Sequence, residues 1–223
     1  MGKVPVAGDE VTIGKGWNMF YDIPSEDSVE LKSLEVLGRL TFNTTLIKDT
    51  PTHFELKSHL IIIEKGEIII GNTTNPYENH ATITLLGSPD SPHFTYSNSL
   101  AAGNKLLFVT GSFIAVGKDP LDGGKYTSRL YQSCEKGEQT IRLEPGLGWK
   151  EGMKIALAPS GYDSYKYEDV TLASYNNATG YANLNSPIKH SHYGSLYADK
   201  DGDHMYDLRT EVGMLTRNIV VQG

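Results

Sequence analysis

Three segments of the chain repeat one plan: SLEVLGRLTFN around Gly38, IIIEKGEIIIG around Gly66 and LLFVTGSFIAV around Gly111. With the glycines aligned, Leu34, Ile62 and Leu107 stand four residues before, Leu40, Ile68 and Phe113 two after, and Phe42, Ile70 and Ala115 four after. Alternate residues of an extended strand share a face, so each copy reads as strand, tight glycine turn, strand, with one aliphatic row to bury. The glycines serve either a positive φ or a close approach of backbones that a side chain would block. Gly38 and Gly66 are 28 residues apart and Gly66 and Gly111 are 45 apart, so the second interval carries an insertion. Recurrence at this period is the mark of stacked units that cannot bury their faces alone. The expected fold is therefore all-β, a right-handed parallel β-helix-like solenoid with glycine-rich turns; a β-sandwich is the alternative. One irregularity stands in the pattern: Glu64 occupies the column where Val36 and Val109 are apolar.

The rest of the chain agrees with strands and turns. Short runs of Ile, Val, Leu, Thr and Tyr are broken by Gly, Asn, Asp and Pro. The best helical stretch, Ser25 to Leu40, opens with residues that could cap a helix, yet Val29, Leu31, Leu34, Val36 and Leu40 fit strands equally well. Near the end, Ile219-Val220-Val221 forms an apolar run, and the end of a solenoid is an open edge that pairs unless covered. The chain is expected to be a piece of a longer array that continues into further domains, with Met1 an expression start.

Composition narrows the partners. With 39% hydrophobic residues the 223-residue chain can build a real core. A formal net charge of -7, without a basic cluster, excludes nucleic acid and anionic membrane surfaces as electrostatic partners. The longest aliphatic runs, Leu60 to Ile63 and Ile68 to Ile70, fall far short of the roughly 20 residues that cross a bilayer. Cys134 is the single cysteine, which rules out an internal disulfide framework. Sequons at Asn43, Asn72 and Asn177 suit a glycosylated, extracellular chain.

A family resemblance rests on PVAGDEVTIGKG (Pro5 to Gly16), LEVLGRLTF (Leu34 to Phe42), EKGEIIIGNTTNPY (Glu64 to Tyr77), ITLLG (Ile83 to Gly87) and GNKLLFVTGSFIAVG (Gly103 to Gly117). In this order they resemble the G8 domain, a glycine-rich extracellular β domain. IRLEPGLGWKEGMKIALAPS (Ile141 to Ser160) and RTEVGMLTRNIVVQG (Arg209 to Gly223) resemble the segments that lead from it into β-helix repeats. The arrangement is similar to that of fibrocystin-type cell-surface proteins and of the cell-migration-inducing and transmembrane-protein-two hyaluronidases. The resemblance implies a G8-type domain over residues 1–135, a β-rich continuation over 136–223, an extracellular or cell-surface setting, and either adhesion or polysaccharide cleavage. Met153 stands where the family usually carries an acid, and Val116 where it often carries a histidine.

The acid-rich stretch from His190 to Glu211 looks the most functional. Asp207, Arg209 and Glu211 alternate, and in one extended strand they form a single charged row. If the chain cleaves glycosidic bonds, Asp207 or Glu211 is the expected acid or base and Arg209 the group that positions a substrate carboxylate. Four residues of strand span about 13 Å, too far for a glycosidase pair, so a charge ladder in which Arg209 pairs with both acids is the stronger expectation. Asp199, Asp201 and Asp203 alternate like calcium ligands, the one cofactor that the sequence suggests. The EF-hand pattern fails there, because His204 stands at the glycine position and Thr210 at the bidentate acid position. His190 and His192, two apart, could bind a metal or a sugar hydroxyl. Trp17 and Trp149 could each stack on a sugar, with core packing the commoner use of such a side chain. The partner expected overall is an extracellular glycan or protein, met by a non-catalytic module. A fragment of a hyaluronan-type depolymerase is the alternative.

Overall fold

The computed structural model describes residues 4–46, 50–96 and 100–223; the expected start at Met1 lies outside them. The protein is all-β, with no α-helix among the described residues and only two short 3₁₀ turns, Ser25–Asp27 and Ser164–Lys166. The helical possibility after Ser25 resolves into the first of these turns followed by strands. Two compact units are present. One comprises residues 1–118 together with 217–223, the other residues 119–216; the expectation from sequence divides the chain once, at 135/136.

The first unit holds three parallel four-stranded sheets. Glu10–Ile13, Ser33–Val36, Leu60–Ile63 and Leu106–Val109 form one sheet. Asn18–Tyr21, Arg39–Phe42, Glu67–Ile70 and Ser112–Ala115 form the second. Glu30–Leu31, His53–Ser58, His80–Leu85 and Ile219–Gln222 form the third. The chain visits the three sheets in turn, so like residues stack from one circuit to the next. Leu34, Ile61 and Leu107 are partners in one row, and Leu40, Ile68 and Phe113 in another. Val36, Phe42, Ile61, Ile63, Ile68, Ile70 and Ile83 are fully buried between the sheets.

This register corrects the alignment read from sequence. Ile61, not Ile62, pairs with Leu34, and Ile63 pairs with Val36. The second copy carries one extra residue before its glycine, and Lys65, at φ 58°, takes it up in the turn. The apolar column is therefore continuous, and Glu64 was never part of it. The glycines themselves are explained by close approach, not by φ. A Cβ on Gly66 would overlap the carbonyl oxygens of Val36 and Gly38, and one on Gly111 would overlap that of Gly66. The terminal apolar run is a paired strand: Ile219 to Gln222 lie against Ala81 to Thr84.

The parallel pattern does not extend through the second unit. Six of its strands form one antiparallel sheet in the order Thr127–Arg129, Glu211–Met214, Lys154–Leu157, Glu168–Tyr175, Tyr181–Leu184 and Thr140–Arg142, and Leu196–Ala198 and Met205–Asp207 pair as a separate two-stranded antiparallel sheet. The larger sheet curls. A register shift between Leu172 and Ser174 bends the long strand that its halves share, as bulges do, and the two outer strands meet through a Leu130–Leu143 bridge. Leu130, Leu143, Leu147, Ile155, Leu157 and Leu172 fill the enclosed side. Alternation leaves Arg129, Ala156, Glu211 and Gly213 on the other face, none of them buried.

Candidate functional site

The solvent face of this curled sheet carries a groove of about 900 Å³. Its floor is open because the residues paired across it are small: Ala156 faces Gly213, and Gly213 faces Thr127. Around it stand Lys125, Glu144, Tyr167, Arg129, Asp207, Arg209 and Glu211. A second depression of about 790 Å³ shares the last four residues and adds Ser160, Tyr193 and Tyr197.

The charged wall is one connected network. Arg129 and Glu211 are direct partners across the strand pair, and Arg129 Nη2 donates to Glu211 Oε1 at 2.7 Å. Arg129 Nε also lies 3.5 Å from Asp207 Oδ2, and its Nη1 donates to the Arg209 carbonyl at 3.0 Å. Arg209 grips Asp207 with two parallel bonds, Nε to Oδ1 and Nη2 to Oδ2, each 2.8 Å, the fork geometry that makes guanidinium–carboxylate pairs strong. That grip, added to by Arg129, pulls the Asp207 carboxyl down to about 2. The Arg209 guanidinium is correspondingly raised by Asp207 and lies over the Tyr131 ring, 5.5 Å from its centroid.

Asp207, Arg209 and Glu211 thus come together, though not as one strand. Asp207 ends the strand Met205–Asp207, residues 208–210 are irregular, and Glu211 opens the next strand. Their separation is therefore not that of one extended strand, and both carboxylates converge on the Arg129 guanidinium. Arg209 serves Asp207 alone, while Arg129 takes the place expected of it beside Glu211. No sequence signal pointed to Arg129, which stands 82 residues from Glu211 in the chain.

The other candidate residues lie elsewhere. Trp149 is 3% exposed, donates from Nε1 to the Lys125 carbonyl at 2.7 Å, and packs near Tyr175. His192 is buried, with Nδ1 3.0 Å from the Ala158 carbonyl and Nε2 2.9 Å from Glu168 Oε1. His190 is half-buried and gives its backbone N–H to the same carboxylate at 3.1 Å. Asp199, Asp201 and Asp203 occupy the turn between Leu196–Ala198 and Met205–Asp207, closed by a 3.2 Å bond from Gly202 N to the Asp199 carbonyl. Among the described residues no three His, Cys, Asp or Glu side chains converge to hold a metal. Of the sequon asparagines, Asn72 and Asn177 are exposed and Asn43 is partly so. Trp17, by contrast with Trp149, is 59% exposed.

Residues 1–124 match the G8 domain. The chain is 30% identical to human Fibrocystin-L over 225 residues, which covers 98% of the chain and 5% of that protein. It is 27% identical to Fibrocystin of Canis lupus familiaris over 222 residues, again covering 98% and 5%. A G8 domain-containing protein of Dictyostelium discoideum is 27% identical over 170 residues, 72% of this chain and 13% of its own. The chain therefore spans only 5% of the length of these fibrocystins. With more than half of its residues matched, the chain belongs to the G8 domain family.

Proposed function

We propose that this chain is an extracellular, cell-surface module of a fibrocystin-type protein that binds a glycan or protein ligand without cleaving it. The ligand surface is the groove walled by Arg129, Asp207, Arg209 and Glu211. The three parallel sheets of the first unit serve as the faces of a right-handed parallel β-helix. Membership of the G8 family and the similarity to fibrocystins support the setting, as do the accessible sequons at Asn72 and Asn177. No helix among the described residues is long and apolar enough to cross a membrane.

The observation that carries the non-catalytic reading is the state of the acids. Glycoside cleavage by two carboxyls needs one that keeps its proton near neutral pH. Asp207 is shifted the opposite way, to about 2, by Arg209, and Glu211 is occupied by Arg129 at 2.7 Å. Ion-paired side chains over a shallow floor favour recognition by exchange of hydrogen bonds. Melting of the chain with hyaluronan, chondroitin and heparan oligosaccharides tests the binding half of the proposal. A ligand that binds the folded state raises the melting temperature. The rise should shrink in Arg129→Ala; a rise of unchanged size would move the ligand away from the groove.

A further inference from the structure

We infer that the first unit carries a separate saccharide-binding cleft built around Trp17. The inference does not rest on the groove of the second unit, from which it differs in every residue. The cleft, about 520 Å³, runs along the turns that join the first parallel sheet to the second, past Trp17, Asn18, Arg39, Lys65, Glu67 and Ser112.

Trp17 is displayed outward from the turn. Its indole lies over Gly14, where a Cβ would touch Cε2, Cδ2 and Nε1 at 3.5–3.7 Å, so one part of the ring system rests on backbone while 59% of the residue stays exposed. An indole that served the core would be enclosed, as Trp149 is at 3%. An outward aromatic with a polar surround is suited to a ligand with one apolar face and hydroxyls at its rim. A pyranose ring has that character, its axial C–H groups meeting the π face while its hydroxyls reach outward.

The walls supply those hydroxyl partners. Arg39 Nε donates to Glu67 Oε1 at 2.6 Å, with both side chains accessible to solvent. The pair holds further guanidinium N–H donors and a second carboxylate oxygen in place, beside the Asn18 amide, the Lys65 ammonium and the Ser112 hydroxyl. Neighbouring strands are about 4.8 Å apart, so the three steps from Trp17 to Ser112 span roughly 14 Å, room for a short oligosaccharide. An extended peptide fits less well, because it would need free main-chain groups to pair with. The carbonyls of Trp17, Gly38 and Gly66 are already taken by Arg39 N, Glu67 N and Ser112 N at 2.8, 2.9 and 2.9 Å.

The test uses the whole chain on an array of immobilised oligosaccharides spanning neutral hexose, N-acetylhexosamine and uronic-acid chains. The wild-type chain and Arg129→Ala should bind a common subset. Trp17→Ala and Arg39→Ala should lose at least tenfold in affinity for it with unchanged melting temperatures. In solution, a bound trisaccharide from that subset should reduce acrylamide quenching of the accessible indole about twofold, saturably. Absence of binding to any saccharide on the array, or binding undiminished in Trp17→Ala, would overturn the inference. Loss of binding in Arg129→Ala alone would assign the saccharide to the other groove and overturn it equally.

Discussion

Glu168 and His192 form a buried pair, Oε1 to Nε2 at 2.9 Å, with the two residues 6% and 2% exposed. The carboxylate has further support: Lys189 N donates to Oε2 at 2.8 Å and His190 N to Oε1 at 3.1 Å. Burial pushes the carboxyl up, but the bonds from Lys189, His192 and His190 outweigh it, and the group lies below the ordinary carboxylate range. A buried charge with this many partners is a fastener between the chain around residue 190 and the strand that begins at Glu168.

A depressed carboxyl stabilises the fold at every pH above its ordinary, unfolded-state value. That stabilisation is lost as pH falls from this value through the lower folded-state one. The unfolding free energy should therefore drop on acidification below about pH 4.5, and less steeply in Glu168→Gln. At neutral pH, Glu168→Gln should cost about 2 kcal/mol, since the hydrogen bonds that Lys189 N, His190 N and His192 make to a buried carboxylate are weakened or lost. Urea unfolding across pH 3–7 measures both effects.

Gly66 and Gly111 lie where a methyl group would overlap a carbonyl oxygen of the preceding circuit. Gly66→Ala and Gly111→Ala should each destabilise by about 2 kcal/mol or more through forced backbone displacement. Gly103 has open space around its Cβ position, and Gly103→Ala should stay within about 0.5 kcal/mol of wild type. Chemical denaturation of the three variants checks the contrast.

Arg209 is the main reason that Asp207 sits at about 2. In Arg209→Gln the carboxyl should rise toward the ordinary aspartate value of 3.8, read by carbon NMR of the side chain during an acid titration. The contribution of the pair is present above that ordinary value and fades as pH falls toward 2. An unchanged titration would show that Arg129 alone holds the acid.

Trp149 fills the core of the second unit and satisfies the Lys125 carbonyl. Trp149→Ala should cost about 3–5 kcal/mol, whereas Trp17→Ala should leave stability within about 1 kcal/mol because most of its ring is already in water. Thermal melts of the two variants separate the roles.

Much of the first unit was legible in the sequence because its repeats are local. Leu40, Ile68 and Phe113 follow their glycines at equal spacing, and they do stack as partners. The slip at Ile62 came from one inserted residue, which only the left-handed turn at Lys65 reveals. The antiparallel sheet of the second unit has no comparable signal, because its pairing joins segments as distant as Thr127–Arg129 and Glu211–Met214. For the same reason the row Asp207, Arg209, Glu211 could be noticed while its organising partner Arg129 could not. Trp17 and Trp149 look alike as letters; burial alone divides them into an accessible aromatic and a core residue.

The central claim is that the Arg129–Asp207–Arg209–Glu211 groove binds and does not cleave. Hyaluronan of one defined length, incubated with the chain and with the Asp207→Asn, Glu211→Gln double variant, tests it most directly by chain length and new reducing ends. The prediction is unchanged length with both proteins. Shortening by the wild-type chain that disappears in the double variant would contradict it and make these carboxyls catalytic.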